Sequence, residues 1–437
     1  MPGGSLMKGW IIGGGMTGLA AGMTSGFAVL ERLDHPGGIC ASYEREGYRF
    51  ELGGGHWIFG GDPTVTRLIG GASEVRSYRR RSAVLFLGAQ EYSRDLRSLF
   101  VPYPIQDNLF ALPKVMRDAA LAEILTGNSD GQPETMAAWL QQQFGATLCR
   151  IFFDPFHERY TAGLFREIAP QDGYKSPIDK AQVRRGAERE NTDAGYNATF
   201  LYPALGLDAV SRWLAQRCDI TYGVAATRID PSTRSLERGD GRALPYDTIV
   251  ATAPLNRIVE MAGLGGRVGP PDPYTSVLVL NLGATLPDTP LARNGYHWLY
   301  VPDSRSGFHR IGYYSNVDPL FLPDGQHGNP SRTSIYVETA FQGGRRPSSE
   351  ATQGLVREII AELQQSGLID KVEAADPTWV DVAYTWRRPG SDWVSRATAA
   401  CQESGIEPAG RFGRWSFQGI AASLKEGLLL GSVLRQL

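Results

Sequence analysis

Three glycines and one acid are the first residues of this chain whose spacing implies chemistry. Gly13, Gly15 and Gly18 form the pattern G-x-G-x-x-G within Gly13-Gly14-Gly15-Met16-Thr17-Gly18, directly after the short run Lys8–Ile12. The next apolar run, Phe27–Leu30, ends in Glu31, 18 residues after Gly13 and close to the separation at which an acid takes a ribose hydroxyl. The glycines serve three physical needs, namely a tight turn, close approach of backbone to a pyrophosphate, and close packing of helix on strand. The pattern therefore predicts a βαβ dinucleotide-binding unit, with Met16 and Thr17 opening the helix and Arg32 following the acid. It does not choose between FAD and NAD, and a plain glycine turn is the alternative. Only Leu19–Gly26 separate Gly18 from Phe27, which predicts a short crossover helix.

Two more glycine clusters follow. Gly37 and Gly38 come soon after Glu31, and Gly53, Gly54 and Gly55 immediately precede His56. Glycines let backbone approach a ligand, and an imidazole titrates near neutrality, so His56 is a candidate for hydrogen bonding or proton switching. The other histidines, His35, His157, His297, His309 and His327, show no metal-ligand spacing, and no metal is predicted. Cys40, Cys149, Cys218 and Cys401 form no C-x-x-C pair, so neither a zinc site nor a disulfide framework is expected, and a reducing, cytoplasmic location is.

The elements that must position these residues need a large chain. With 437 residues, two or three domains are expected at roughly 100–200 residues each. Forty-two per cent hydrophobic residues allow large cores, and 52 glycines mark a glycine-punctuated fold. A formal charge of −2 gives no electrostatic reason to expect nucleic acid or an anionic membrane as a partner. No run approaches 18 apolar residues, and Met1–Ser5 reads as a leader outside the fold. Strands are predicted at Lys8–Ile12, Phe27–Leu30, Ala83–Leu87, Thr248–Pro254, Val277–Leu282, His297–Val301, His309–Tyr314, Ser334–Thr339 and Trp379–Trp386. Helices are predicted at Met116–Leu125, Glu134–Phe144, Thr147–Phe156, Leu205–Cys218, Ala351–Ser366 and the C-terminal Gly410–Leu437 segment. The fold class is α/β: a Rossmann-like dinucleotide-binding domain (6–80, 201–262 and 396–437), for which the resemblance given next implies FAD, a helical insertion (105–200) and an antiparallel sheet substrate domain (81–104 and 263–395).

With Pro36-Gly37-Gly38 followed by Phe50-Glu51-Leu52-Gly53-Gly54-Gly55-His56, the N-terminus resembles the flavoproteins that include amine oxidases, protoporphyrinogen oxidases and UDP-galactopyranose mutases. Three blocks are similar to the mutases in particular: Val101-Pro102-Tyr103-Pro104-Ile105-Gln106, His297-Trp298-Leu299-Tyr300-Val301 with Phe308-His309-Arg310-Ile311, and Gly410-Arg411-Phe412-Gly413-Arg414-Trp415. The resemblance implies FAD, held at Gly13, Gly15, Met16, Thr17, Gly18, Glu31, Arg32, Gly37, Gly38, Gly54, Gly55, His56, Gly410, Arg411 and Trp415. It implies interconversion of pyranose and furanose forms of a nucleotide-activated sugar, through attack of reduced flavin N5 on the anomeric carbon. His56, Tyr300 and Arg310 would serve the reaction, Arg310 by clamping the diphosphate. Tyr103 and Gln106 would recognise the base, and Tyr300, Arg310 and Phe417 would complete the substrate site.

Read as residues alone, Arg310 could equally pair with a sheet carboxylate, and Tyr300 and Trp415 could be core. The chain also departs from the mutases. No arginine aligns with the second diphosphate ligand of the insertion, where Phe156–Tyr160 and Gly173–Pro177 stand, although Arg184 and Arg185 lie nearby. Phe417 replaces a tyrosine, Ile105 an aromatic, and Pro389–Trp393 a Gly-Tyr-Pro-x-Pro element. The alternatives are an FAD-dependent oxidoreductase (amine or alcohol oxidase, or desaturase) on the same scaffold, and a non-catalytic FAD-stabilised homologue.

Overall fold

A computed structural model describes residues 7–88, 99–127, 131–171, 178–191 and 198–436. The expected leader, the Gly173–Pro177 stretch and the middle of the 127–131 linker lie outside them. The first run forms the strand Gly9–Ile12 at the centre of a five-stranded parallel sheet. Thr248–Ala251 and Ala28–Leu30 flank it, with Ile406–Pro408 and Ile220–Thr221 outermost. Ile11, Val29 and Val250 are fully buried, as central strands covered on both faces require. The crossover helix, Met16–Ser25, is longer than expected because it begins inside the glycine motif. Gly15 supplies its non-helical cap, and Gly26, at φ 78°, ends it.

The second sheet has seven strands, in the order Val372–Thr385, Tyr274–Thr285, Arg332–Gln342, Arg310–Tyr313, Trp298–Tyr300, Ser82–Phe86 and Leu99–Pro102. All neighbours are antiparallel except Trp298–Tyr300 with Ser82–Phe86, which run parallel. Its two faces separate by alternation. Leu280, Leu282, Ile335 and Val337 pack with Ile359 and Leu363 of the helix Ser349–Gln365. Val277, Val279 and Tyr336 turn the other way, against Met16, Leu19 and the C-terminal helix.

The insertion is helical, built from Lys114–Thr126, Met136–Leu148, Asp154–Tyr160 and Lys180–Glu188 around Phe144, Phe152, Phe153 and Phe156. Gly145, at φ 76°, kinks the second helix, and a π-helical turn, Cys149–Phe153, joins it to the third. Three small β structures were not anticipated: a hairpin of Ser42–Arg45 with Tyr48–Glu51, a meander over 226–245, and a ribbon of Val75–Arg79 with Thr199–Pro203. The ribbon's second strand ends the predicted helical insertion at its border. Val75–Arg79 is rich in arginine and partly exposed, so it lacks the apolar alternation that reveals a strand.

The predicted C-terminal helical segment resolves into a short turn, Gly410–Gly413, and the helix Ile420–Leu434, which lies on Met16–Ser25. Two glycines permit the approach. A Cβ at Gly427 would sit 2.3 Å from the Thr17 carbonyl oxygen, and one at Gly431 would sit 2.1 Å from Thr24 Oγ1. The last helix thereby braces the first, whose N-terminus belongs to the glycine motif. Gly427→Val is expected to destabilise the protein by about 1–3 kcal/mol through overpacking, read from the urea midpoint. Gly266→Ala, where a Cβ meets nothing within 4 Å, should stay within about 0.5 kcal/mol.

Candidate cofactor cradle and active-site cleft

The first glycine motif and the second are in contact. Gly13 adopts φ 102° and donates its N–H to the Leu30 carbonyl at 2.9 Å, turning the chain out of the strand. Gly18 packs so closely on that turn that a Cβ would lie 1.9 Å from the Gly13 carbonyl oxygen. The Gly37 N–H donates to the Gly14 carbonyl at 2.8 Å, and a Cβ on Gly38 would lie 3.6 Å from Gly15 Cα. Gly15 itself faces open space, with nothing within 4 Å of its Cβ position, and no side chain caps the helix it begins. Bare backbone, uncapped N–H groups and a helix N-terminus suit an anionic pyrophosphate. Glu31 is buried beside them and accepts the Gly14 N–H at 2.6 Å and the Leu33 N–H at 2.7 Å, one on each oxygen. A carboxylate oxygen has two lone pairs, so each keeps one for a ribose hydroxyl. The residues present fit an FAD adenosine diphosphate half.

Gly410 closes the same region from the C-terminal side, at φ 73°, where a Cβ would come within 2.6 Å of Thr17 Oγ1. Met16 and Thr17 are buried under it and Arg32 is exposed. Arg411 donates to the Ala383 carbonyl at 3.0 Å and lies over the rings of Tyr384 and Phe417, 5.2 and 4.7 Å from their centroids.

The face of the large sheet that turns toward this cradle carries the charges. Arg310 and Glu338 are register partners on adjacent strands, and Arg310 Nη1 donates to Glu338 Oε1 at 3.3 Å. Glu338 is 5% exposed. Burial would raise its pKa, but the Arg310 charge and His309 beside it hold the carboxyl at about 2. His309 Nε2 lies 3.3 Å from Glu338 Oε2, and burial keeps this imidazole neutral. Arg310 Nε is buried and has no partner among the described residues, so the guanidinium is only partly used.

The glycine loop that carries His56 approaches the same pair. A Cβ on Gly54 would be 3.4 Å from Glu338 Oε1, and one on Gly55 would be 2.6 Å from the Tyr336 hydroxyl. His56 Nδ1 lies 2.9 Å from the Gly54 carbonyl, which assigns the proton to Nδ1 and leaves Nε2 as an acceptor. Burial lowers its pKa below the ordinary value, with the Arg411 and Arg310 charges acting in the same direction, so the ring is neutral. Aromatic rings from four segments meet nearby: Tyr103 and Tyr300 at 4.5 Å between centroids, Phe156 and Tyr300 at 5.4 Å, and Tyr160 and Tyr384 at 4.8 Å. The Arg310 guanidinium lies 5.6 Å from the Tyr300 ring centre.

Tyr103, Tyr300, Arg310 and Arg411 thus come together at one candidate site where the sheet meets the insertion, and the Arg310 and Arg411 charges reach His56. Two residues do not line it. Trp415, expected beside the cofactor, is fully buried against Trp393 and Tyr274, with Nε1 donating to the Trp386 carbonyl. It is core because its indole fills the cluster that includes Ile12, Ala251, Trp393 and Ile406, from a backbone at φ 51°. Gln106, expected to read a base, is 1% exposed, and its Nε2 has no partner among the described residues. The half-turn Ile105–Asp107 folds it inward along with Ile105, which packs in the insertion core. Phe417 remains exposed under Arg411, and Arg184 and Arg185 are exposed on Lys180–Glu188. The sequence analysis missed Glu338, His309, Tyr336, Tyr160 and Tyr384. A single acid inside the apolar stretch Ile335–Ala340, on the same parity as Tyr336, was the available signal for Glu338.

A family model described as flavin containing amine oxidoreductase matches residues 19–400 of the chain. No curated protein matches the chain. Among solved structures, reduced UDP-galactopyranose mutase superposes with a TM-score of 0.83 at 22% identity, over 97% of this chain and 94% of that one. A protein from Exiguobacterium sp. 255-15 named as a candidate protoporphyrinogen oxidase gives 0.70 at 15% identity, over 99% and 100%. Putrescine oxidase bound to putrescine gives 0.60 at 14% identity, over 99% of each chain. These likenesses establish a shared fold. Gly15→Val, which points a side chain into the open cradle, is expected to leave the unfolding midpoint of the apoprotein within about 1 kcal/mol. The same change should cut FAD retained on purification at least tenfold; full FAD occupancy in this variant would refute the cradle.

Proposed function

The chain belongs to the flavin-containing amine oxidoreductase family, and from that premise we propose that it is a FAD-dependent sugar mutase, interconverting pyranose and furanose forms of a nucleotide-activated sugar. One observation carries this reading: Arg310, held in place by Glu338, keeps a buried Nε without a partner beside the Tyr300 ring. A guanidinium so placed can take phosphate oxygens as a fork and stays charged at any working pH. The bound cofactor, in its reduced form, would supply the electron pair for the anomeric carbon. Arg310 would hold the departing diphosphate near the sugar so that it can return. His56 would present a neutral Nε2 that accepts a hydrogen bond, and Tyr300 a hydroxyl for the sugar or diphosphate. Tyr103, Phe156, Tyr160 and Tyr384 would keep bulk water from the reacting atoms.

A second reading, an FAD-dependent oxidoreductase acting on an amine or alcohol, also has an observation in its favour. Arg159, the arginine of the insertion that acts on His309, spends its guanidinium on carbonyls, with Nε and Nη2 on Ser304 and Nη1 on Pro155. A diphosphate then finds fewer cations than in a two-arginine clamp.

Calorimetric titration with uridine diphosphate separates the two. Binding is expected, and removing the Arg310 contacts should cost about 1.5–3 kcal/mol, or about 10- to 150-fold in affinity. Because Arg310→Ala alone strands the buried Glu338 charge, the variant to use pairs it with Glu338→Gln, and its FAD spectrum should match that of the wild type. Unaltered affinity would remove Arg310 from the role. Anaerobic bleaching of oxidised FAD by an amine or alcohol would favour the second reading.

A further inference from the structure

A diphosphate that takes hold of Arg310 must draw it away from Glu338, and a buried carboxylate stripped of its partner is strongly destabilising. The residue placed to replace that partner is His309. Its ring is 0% exposed, and neither Nδ1 nor Nε2 makes a hydrogen bond among the described residues. A buried imidazole with two idle nitrogens is costly, so its position needs a reason. The backbone fixes where the ring stands: the His309 N–H donates to the Glu338 carbonyl at 3.0 Å, and the His309 carbonyl accepts the Val301 N–H at 2.9 Å. The Phe156 and Tyr160 rings of the insertion helix Asp154–Tyr160 lie 5.9 and 5.4 Å from it between centroids. Nε2 is thereby left 3.3 Å from Glu338 Oε2, an oxygen that has no hydrogen-bond partner either, whereas Oε1 accepts from Arg310. One carboxylate thus stands between a permanent cation and a ring that can become one.

We propose that His309 is the positioning residue of the Arg310–Glu338 pair: when a diphosphate draws Arg310 off Glu338, the ring takes a proton from solvent, donates a hydrogen bond to the idle carboxylate oxygen and holds the buried acid in place. The inference rests on the reading that Arg310 binds the diphosphate.

Charge counting gives the direction. In the resting site Arg310 already balances Glu338, so a second buried cation would be in excess. Burial keeps the ring neutral, Glu338 favours a proton on it, and Arg310 and Arg159 oppose one. Tyr160, Tyr300, Tyr336, Tyr384 and His56 are the other titratable groups about the pair, and His56, as an imidazole, is the competitor for a proton near neutrality. A bound diphosphate cancels the Arg310 charge and leaves the site with negative charge in excess, which moves His309 toward its charged form. No covalent bond changes: one proton enters with the ligand and leaves with it. The imidazolium then supplies the second cation that Arg159, spent on carbonyls, does not.

The test is calorimetric titration of the oxidised, FAD-loaded protein with uridine diphosphate galactose, whose phosphates carry no proton that titrates near neutrality. It is run in buffers of different ionisation enthalpy from about pH 6 to 8, the range in which an imidazole changes charge. The wild type is expected to take up about 0.5–1 proton per bound ligand near neutrality, with affinity falling as pH rises by up to about tenfold per unit. His309→Gln cannot gain a charge, so its uptake should vanish and its affinity should stop depending on pH. It should match the wild type at the alkaline end and bind more weakly at the acid end, a pattern that a merely structural His309 would not give. Binding without proton uptake, or uptake that persists in His309→Gln, overturns the proposal and leaves the diphosphate reading standing. No binding at any pH overturns both. If His309→Gln does not fold, nitrogen-15 spectra of the histidine rings in His56→Gln decide: one neutral imidazole is expected to become charged on addition of the ligand, and none doing so overturns the proposal.

Discussion

A guanidinium and a carboxylate facing each other across neighbouring strands, in a place nearly closed to water, constrain the rest of this site. Neither Arg310 nor Glu338 would be tolerable there alone: leaving one buried charge without its partner costs about 3–5 kcal/mol. The pair must therefore be kept together, and the sheet does so by making the two residues register partners. Around that fixed point the other parts find their positions. Gly54 takes φ 82° beside Glu338, Gly55 can approach the Tyr336 ring because it carries no side chain, and His309 lies against the second carboxylate oxygen. A charge pair with one spare donor, roofed by aromatic rings, is suited to holding an anionic leaving group close to the atom it left.

The cofactor cradle depends on a different constraint, the distance at which backbone meets backbone. Segments far apart in the chain converge there: the first motif, the Gly37–Gly38 turn and Gly410 from near the C-terminus. The last helix supports them from behind by packing Gly427 and Gly431 against Thr17 and Thr24. Binding and stability are consequently linked, since the helix that offers its N-terminus to a pyrophosphate is the one braced by the C-terminal helix.

What the sequence disclosed follows from how local each signal is. G-x-G-x-x-G and Glu31 act within one βαβ unit, so their spacing alone placed the turn, the helix and the acid. The long strands were legible because short runs of β-branched, aromatic and other apolar residues fill Val277–Leu282 and Ser334–Thr339. The Arg310–Glu338 pair was only half visible, because register between strands 28 residues apart is decided by packing and turns rather than by either strand's own composition. Arg310 came to notice through resemblance, while Glu338 passed as one more charge. Trp415 and Gln106 failed for a related reason. Residue type says that an indole or an amide can meet a ligand, but the side to which it points depends on a positive φ at one and a half-turn of helix at the other.

The proposed chemistry leaves no net oxidation behind. The most direct measurement incubates the dithionite-reduced, FAD-loaded enzyme with candidate uridine- and thymidine-diphosphate hexoses under anaerobic conditions, resolves the products by chromatography and follows the flavin spectrum in parallel. The expected result is a nucleotide sugar of unchanged mass and altered ring size, many turnovers per flavin, and flavin still reduced at the end. No ring-isomerised product from any of them, together with an amine or alcohol that reduces the oxidised enzyme, would contradict it.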